Sequence, residues 1–387
     1  MSARPKIDDE QRRARLGRRH LLAPAHRAAT PEQVAEAVLA LHASDPATVF
    51  LSTTARLDRP GSEALDQALY QDRTLVRMHG MRRTLFVVPT DLAPLVQSST
   101  TRKVAERERK GLVAFAAEVG FDEAWLARVE QRVLAELGAG GEASGAQLGV
   151  KVPELRESMT VSVGKPYEAK ATIGVRLLRV LGMEGVIVRG RPVGSWTSGQ
   201  HYWALRPALP DLPVAEAQAA LALRWLAAYG PATVEDLRWW TGWGLREVRS
   251  ALAACGAVPV DLTAGEGFTL PDDTDPVPEP EPWAALLPAL DPTPMGWQQR
   301  DWYLPTEHRT DLFDRSGNIG PTIWSNGRII GGWAQRPDGD LAWELLEPAT
   351  PATKSAIETE LHRLHTWLGP TRITPRFRTP LERRLSA

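Results

Sequence analysis

The feature that most constrains the fold is a pattern that occurs three times ahead of residue 271. Each copy has helical segments, then a helix that ends near a glycine, then two short apolar strands joined by a turn. Helices followed by a two-stranded ribbon describe a winged helix, in which a hairpin flanks the recognition helix. Because three copies in tandem are more specific than one, we predict a mostly helical α+β protein of tandem winged-helix modules. A generic α+β fold is the alternative.

Helical spacing and the Gly and Pro breaks place the elements of each copy. The predicted helices cover about residues 31–42, 46–57 and 62–72 in the first copy, 122–137 and 168–181 in the second, and 214–229, 233–242 and 244–256 in the third. The predicted strand pairs are TLVRMHG with RRTLFVV, GVIVRG with GSWTS, and AVPVDL with GFTL.

A stretch rich in proline and acidic residues, PDDTDPVPEPEPWAALLPALDPTP at 271–294, follows the third copy. Because such residues prevent regular structure, we interpret it as a linker. Beyond it, GPTIWSNGRIIGGWAQRPDGDLAWELLE predicts a hairpin meander, since Asn326-Gly327 is a strong hairpin signal and PDGD at 337–340 supplies the next turn. A helix over about residues 352–368 and a basic tail follow.

These breaks predict five regions in the 387 residues. They are a first winged-helix region at 1–112, a second winged helix at 113–208, a third at 209–272, the linker at 273–294, and a C-terminal β-rich domain with a closing helix at 295–387.

Composition excludes several classes of protein. With 43% hydrophobic and 24% charged residues, the chain is not largely disordered. No apolar run approaches the roughly 18–20 residues that cross a bilayer, and no apolar stretch follows the charged N-terminus as in a secretory signal. A single cysteine, Cys255, fits a reducing cytoplasm. The 46 basic and 47 acidic side chains give a formal net charge of −1, so DNA binding must rely on local basic patches.

The sequence lacks the motifs of several common sites: a Walker loop, G-x-G-x-x-G after a strand, a G-x-S-x-G elbow and H-E-x-x-H. His362 and His365 lie three residues apart on the predicted C-terminal helix, but no third ligand is evident at a suitable spacing. We therefore predict no metal and no cofactor.

The segment Leu41-His42-Ala43-Ser44-Asp45-Pro46 is the candidate for chemistry. Pro46 biases Asp45 away from the α region, so the preceding helix ends here and the backbone becomes extended. In an extended stretch residues two apart point to the same side, so His42 and Ser44 can together hold a water between an imidazole and a hydroxyl. The alternative, which spacing alone favours, is that Ser44 or Asp45 caps the next helix and His42 is a partly exposed helix-end residue.

Basic residues cluster near the predicted wings. Arg82 and Arg83 lie beside a strand of the first wing, and Lys170 and Arg176 flank or lie on the second recognition helix. Because phosphate contacts need fixed cations near helix ends and wing tips, we assign these four residues to DNA binding. Trp196, in RGRPVGSWTSGQ, is a candidate for stacking on a base or sugar, whereas most of the 14 tryptophans are expected in packing.

Five stretches resemble the winged-helix DNA glycosylases of the AlkZ and YcaQ type, also described as winged helix DNA-binding domain-containing proteins. They are LALHASDPATVFLSTTARL, RTLVRMHGMRRTLFVVPTDL, GRPVGSWTSGQHYWA, RWLAAYGPATVEDLRWWTGW, and SGNIGPTIWSNGRIIGGW with the tail RFRTPLERRL. They occur in family order from about residue 15 to 385. The resemblance implies three tandem winged helices and a C-terminal β domain that form a concave, positively charged channel for duplex DNA.

Characterised members of this family hydrolyse the N-glycosidic bond of alkylated purines, including bulky adducts and some interstrand crosslinks. Their catalytic motif has two polar residues separated by an apolar one, usually Gln-x-Gln or Gln-x-Asp, and His42-Ala43-Ser44 occupies that place. Neither glutamine is present here. A strand that commonly reads Thr-Leu-His in relatives is Thr84-Leu85-Phe86, with His79 nearby.

The resemblance implies a monofunctional DNA glycosylase that removes purines alkylated at N7 or N3 from duplex DNA. His42 would orient or deprotonate the attacking water and Ser44 would position it, at the floor of a cleft wide enough for a double helix. We expect a cytoplasmic, nucleoid-associated monomer that needs no cofactor and contacts no membrane. The alternative, favoured by the missing glutamines, is a non-catalytic DNA-binding protein, a regulator or lesion sensor, on the same scaffold.

Overall fold

The computed structural model describes residues 4–161, 164 and 168–387. Helix accounts for 46% of the structure and strand for 19%, which confirms the predicted mixture with helix in excess. None of the helices within these ranges is long and apolar enough to cross a membrane.

The first part of the described chain places a small antiparallel sheet among helices. Its elements are α1 (Asp9–Arg19), α2 (Pro31–Ala37), β1 (Leu41–His42), α3 (Pro46–Thr54), α4 (Glu63–Tyr70), β2 (Leu75–His79), β3 (Leu85–Pro89), α5 (Ala93–Val96) and α6 (Arg102–Glu118). The strand order is β1-β3-β2. The helix predicted over 31–42 is wrong in its second half, because Leu39 takes a left-handed conformation (φ 62°) that ends α2 and leads into β1.

The second part again combines helices with paired strands. Its elements are α7 (Glu123–Gly140), β4 (Glu142–Ser144), α8 (Gly145–Lys151), β5 (Ser158–Val161), β6 (Ala169–Thr172), α9 (Ile173–Glu184), β7 (Ile187–Pro192) and β8 (His201–Leu205). The helix predicted from residue 168 is wrong at its start, because β6 pairs with β5 and the Thr172 side chain then caps α9 through the Val175 amide. The second strand predicted in GSWTS lies instead at β8, which pairs with β4 and β7.

The third part and the C-terminal part hold the remaining elements. They are α10 (Val214–Tyr229), α11 (Val234–Thr241), α12 (Leu245–Ala254), β9 (Val258–Leu262), β10 (Gly265–Thr269), β11 (Ala284–Leu287), α13 (Arg309–Leu312), β12 (Thr322–Ser325), β13 (Arg328–Gln335), β14 (Leu341–Leu345), α14 (Pro351–Leu368) and α15 (Pro380–Leu385). β9 pairs with β10, and β11 to β14 form a sheet in chain order. The predicted Asn326-Gly327 turn is confirmed, since both residues have positive φ (46° and 81°) and join β12 to β13.

The predicted linker is partly structured. Residues 284–287 form β11, which pairs with β12, so the expectation that no regular structure forms across 271–294 is wrong for its apolar end. Near its start, the Arg15 guanidinium of α1 donates to the Asp273 carboxylate at 3.2 Å and to the Asp275 carbonyl at 2.7 Å. Both ends of this stretch are therefore held by the rest of the protein.

A single cluster of buried side chains connects the first, third and C-terminal parts. Its aromatic members include Trp225, Tyr229, Trp297, Tyr303 and Trp324, whose successive ring centroids are 5.6, 5.1, 5.8 and 5.3 Å apart. Aromatic pairs at these separations add stability beyond the area that they bury. The three parts therefore share one core.

A fully buried ion pair fixes α3 to the C-terminal part. Arg56, just past the end of α3, donates to both carboxylate oxygens of Asp291, at 2.8 and 2.7 Å, and to the Thr293 hydroxyl at 2.7 Å. It also donates to the Ser52 carbonyl at 2.8 Å and the His20 carbonyl at 3.0 Å. The side chains of Arg56 and Asp291 are 0% exposed. Because α3 directly follows the candidate motif, this pair holds the helix behind that motif.

Candidate active site

The candidate motif lies on the edge strand of the first sheet. Pro46 keeps Asp45 outside the helical region (φ −105°, ψ 119°), so the backbone that leads into α3 is extended, as predicted. β1 pairs with β3 through His42 and Phe86. The alternative in which His42 is a partly exposed helix-end residue is therefore wrong, since it is a buried strand residue.

Strand alternation sets the direction of the His42 side chain. Leu41 and Ala43 pack in the same buried cluster as Leu85 of β3. Because successive residues of a strand face opposite sides, His42 lies on the other face of the sheet, and Ser44 follows two residues after the end of β1. The structure thus places His42 at the end of β1 and Ser44 in the bend that leads into α3.

His42 is almost fully buried, with 7% of its surface exposed. Its ring meets that of Phe86 edge to face, with centroids 5.3 Å apart, and its Nδ1 atom is buried without a hydrogen-bond partner among the described residues. Burial, and then the positive charge of Arg82, lowers the pKa of His42 to about 3. The imidazole is therefore neutral near pH 7, where it can accept a hydrogen bond from water but is a weak base.

Of the two residues expected to cap the next helix, Ser44 and Asp45, it is Asp45 that caps α3. Its Oδ1 accepts a hydrogen bond from the Ala47 amide at 3.1 Å, at the start of α3. Its Oδ2 accepts one from the Arg376 amide at 2.9 Å, and the Arg376 guanidinium donates to the Ser44 carbonyl at 3.3 Å. Burial raises the pKa of Asp45, and these amide hydrogen bonds act against that rise. Since Asp45 caps the helix, the half-buried Ser44 hydroxyl is not needed for that task.

Arg82 is the predicted DNA-binding residue that the structure brings near His42. It lies on the turn between β2 and β3 with φ 53°, and its guanidinium stacks on Trp239 of α11, 3.9 Å from the ring centroid. Burial lowers the pKa of Arg82 to about 10, with a further contribution from Arg300. Its charge is close enough to lower the pKa of His42.

The other predicted phosphate contacts have separate surroundings. Arg83 is exposed but pairs with Glu108 of α6 at 2.5 Å. Lys170 is exposed on β6. The half-buried Arg176 of α9 lies over the ring of Phe115, 4.2 Å from its centroid. Within the described part of the chain, Lys170 is the one of these three cations that contacts neither a carboxylate nor an aromatic ring.

Trp196 lies where three separate parts of the chain meet. From the loop between β7 and β8, its ring packs against Phe50 of α3 and Trp367 of α14, with centroid distances of 5.1 and 5.5 Å. Its neighbours thus give the ring a packing role, which sequence reasoning assigned to most of the tryptophans but not to this one.

Arg376 belongs to the site but is not among the residues predicted from the sequence. Spacing gives no sign of it, because 331 positions separate it from Asp45. The one signal available is its place in RFRTPLERRL, a stretch that resembles the family.

One group in the described part of the chain has donors suited to a metal ion. The ligand atoms of Glu307, His308 and Glu347 lie within 4.8 Å of one another. His308 Nε2 already contacts a Glu347 carboxylate oxygen at 2.6 Å, so this pair is satisfied without a cation. We assign no ion to it.

The fold is that of a DNA glycosylase. The structure is similar to the DNA glycosylase AlkZ of Streptomyces sahachiroi, with a TM-score of 0.71 and 20% sequence identity over 93% of this chain and 97% of that chain. A family model described as DNA glycosylase AlkZ-like matches residues 35–367. The chain therefore belongs to the AlkZ-like DNA glycosylase family, which confirms the resemblance and assigns it to DNA repair, with DNA as its partner. Among curated proteins, none matches the chain.

Proposed function

We propose that this family member hydrolyses the N-glycosidic bond of purines alkylated at N7 or N3 in duplex DNA, as a monofunctional and monomeric enzyme. The proposal is supported by the position of His42 at the end of β1, with Ser44 two residues further along the segment that leads into α3, and by the resemblance of this segment to the family's motif. A purine alkylated at N7 or N3 is cationic and leaves without a strong general acid. The protein has to place a water against C1′ of the sugar and stabilise the developing oxocarbenium charge.

In this mechanism the two side chains share one water. Neutral His42 accepts a hydrogen bond from the water and orients it, and Ser44 positions the same water through its hydroxyl. His42 takes little part in deprotonating the water, because a pKa of about 3 makes the ring a weak base. The water bonds to C1′ as the C1′–N bond breaks, the alkylpurine leaves as a neutral base, and the proton of the water passes to solvent. Asp45 and Arg376 hold the backbone of the motif in place.

We also propose that the repeated units are winged helices around a channel for duplex DNA. The strand pair β7–β8 follows α9, and the strand pair β9–β10 follows α12, as wings follow recognition helices. Exposed Lys170 and the turn that holds Arg82 and Arg83 lie on or beside paired strands, where phosphate contacts are expected. The corresponding domains are 1–112, 113–208, 209–272 and 295–387, with 273–294 as the connection, and the substrate is the nucleoid DNA of the cytoplasm.

Purified protein incubated with duplex DNA that carries one 7-methylguanine tests the proposed activity. We expect strand breaks at the lesion after alkali and none before it, because a monofunctional glycosylase leaves an intact abasic strand. The same duplex with guanine at that position is the control. Tight binding without alkali-dependent breaks would identify the non-catalytic DNA-binding alternative.

The rate of base release is expected to stay nearly constant from about pH 5 to pH 8. A histidine with the ordinary pKa of 6.5 would lose its neutral form below that pH, whereas His42, with a pKa of about 3, stays neutral throughout. Single-turnover rates, corrected for spontaneous depurination, measure this. A fall below pH 6.5 that is absent from His42→Gln would contradict the assignment.

A further inference from the structure

A cavity of about 180 Å³ opens between the first and second parts, where β2 meets β7. Most of its charged lining is arginine. The residues are Arg73, Arg77, Arg189, Arg191 and Arg206, with Glu142 as an acidic neighbour. A cavity lined in this way favours an anionic ligand.

Several hydrogen-bond donors at this cavity are buried and have no partner among the residues that the structure describes. Arg77, on β2, is 5% exposed, and its Nε and Nη2 atoms have no hydrogen-bond partner among the described residues. The same holds for the buried Nε of Arg189, on β7, and for the buried hydroxyl of Tyr70. Because a buried donor without a partner is costly, above all on a charged group, these atoms indicate an acceptor that the chain itself does not supply.

The balance of charge points to the same ligand. Arg191 is neutralised by Asp66 at 2.5 Å, but no ion pair in the described part of the chain includes Arg77 or Arg189. Burial, and then the charges of Arg77 and Arg376, lowers the pKa of Arg189 to about 10. Arg376 also donates to the Ser44 carbonyl, so this group of cations reaches the backbone of the candidate motif.

We propose that this cavity binds a phosphate group of the DNA backbone, with buried Arg77 and half-buried Arg189 as its ligands and Tyr70 as a further donor. The inference deepens the DNA glycosylase function proposed above and rests on it. A phosphate has several acceptor oxygens, matches the planar donor set of arginine and carries the charge that the site lacks. A phosphate held there sets the register of the duplex against the motif.

Binding of undamaged duplex DNA over a range of salt concentrations tests the assignment in Arg77→Met and Arg189→Met. Methionine retains much of the side-chain volume and removes the charge and the donors. We expect each variant to bind about ten-fold more weakly, and its slope of log K against log salt to become less negative by about 0.9, the change for one phosphate contact. Arg77→Lys keeps the charge and should keep the slope. Arg132→Gln, which changes an exposed arginine paired with Glu154, is the matched control and should bind as the wild type does.

Thermal unfolding separates lost binding from a lost fold. Arg77→Met should melt no lower than the wild type, since it removes an unpaired buried charge. Inorganic phosphate, compared with chloride at equal ionic strength, should raise the Tm of the wild type and leave that of Arg77→Met unchanged. Unchanged salt slopes in both folded variants overturn the proposal, and a phosphate-dependent Tm in that case would assign the cavity to a free anion instead. Because the duplex is undamaged, such a failure leaves the proposed base excision untouched.

Discussion

His42→Phe is expected to lower the rate of 7-methylguanine release by about 100-fold, the order found when the positioning of a reacting group is lost. Phenylalanine keeps a ring against Phe86 but offers no nitrogen to the water. His42→Gln should retain most of the wild-type rate, because the glutamine side chain restores a hydrogen-bond acceptor for the water. Single-turnover assays that count abasic sites after alkali measure both variants.

Stability measurements separate this effect from loss of structure. Since the buried Nδ1 of His42 has no partner in the described part of the chain, His42→Phe should melt at or above the wild-type temperature. Ser44→Ala should lower the rate by a smaller factor, about ten-fold, because the oriented water is still held by the imidazole. Undiminished rates in both His42→Phe and Ser44→Ala would remove the pair from the mechanism.

Asp291→Ala is expected to lower the free energy of unfolding by about 3–5 kcal/mol, because it leaves the buried Arg56 guanidinium without its counter-charge. Asp291 supplies two of the acceptors around Arg56, and neither side chain is exposed. The same network includes His20, which lies 2.8 Å from the Thr293 hydroxyl. Denaturant titration followed by tryptophan fluorescence measures the loss.

An exposed ion pair provides the control for Asp291→Ala. Arg384 is half exposed and contacts the Glu344 carboxylate at 2.8 Å, so Arg384→Ala should change stability little. A loss for Asp291→Ala no larger than that for Arg384→Ala would show that the buried pair does not hold α3 to the C-terminal part.

Sequence patterns predicted those elements whose ends are marked by residues close by in the sequence, such as a glycine after a helix or a turn dipeptide. α10 covers Val214–Tyr229 as expected, because its apolar spacing is helical and Gly230 follows it. The Asn326-Gly327 turn has the positive φ angles that this dipeptide favours. The patterns failed at β6 and β11, because each strand forms only by pairing with a partner strand elsewhere in the chain, and strand propensity depends on such context.

In the candidate site, too, features set by neighbouring residues were predictable and features set by tertiary packing were not. Pro46 was enough to predict the extended motif and a capping residue beside it, and the structure assigns the cap to Asp45. The burial of His42 and the contact with Arg376 were not predictable, since they depend on the packing of residues far apart in sequence.

Phe50 and Trp367 pack against Trp196 and hold the loop between β7 and β8 against α3 and α14. The loop that carries Trp196 cannot swing outward without separating these rings, so we expect this loop to keep its place when DNA binds. If this loop does not move, bending of the DNA contributes more of the change needed to reach a damaged base. Lesions beside pliable pyrimidine–purine steps should be processed faster than the same lesions within stiff A-tracts.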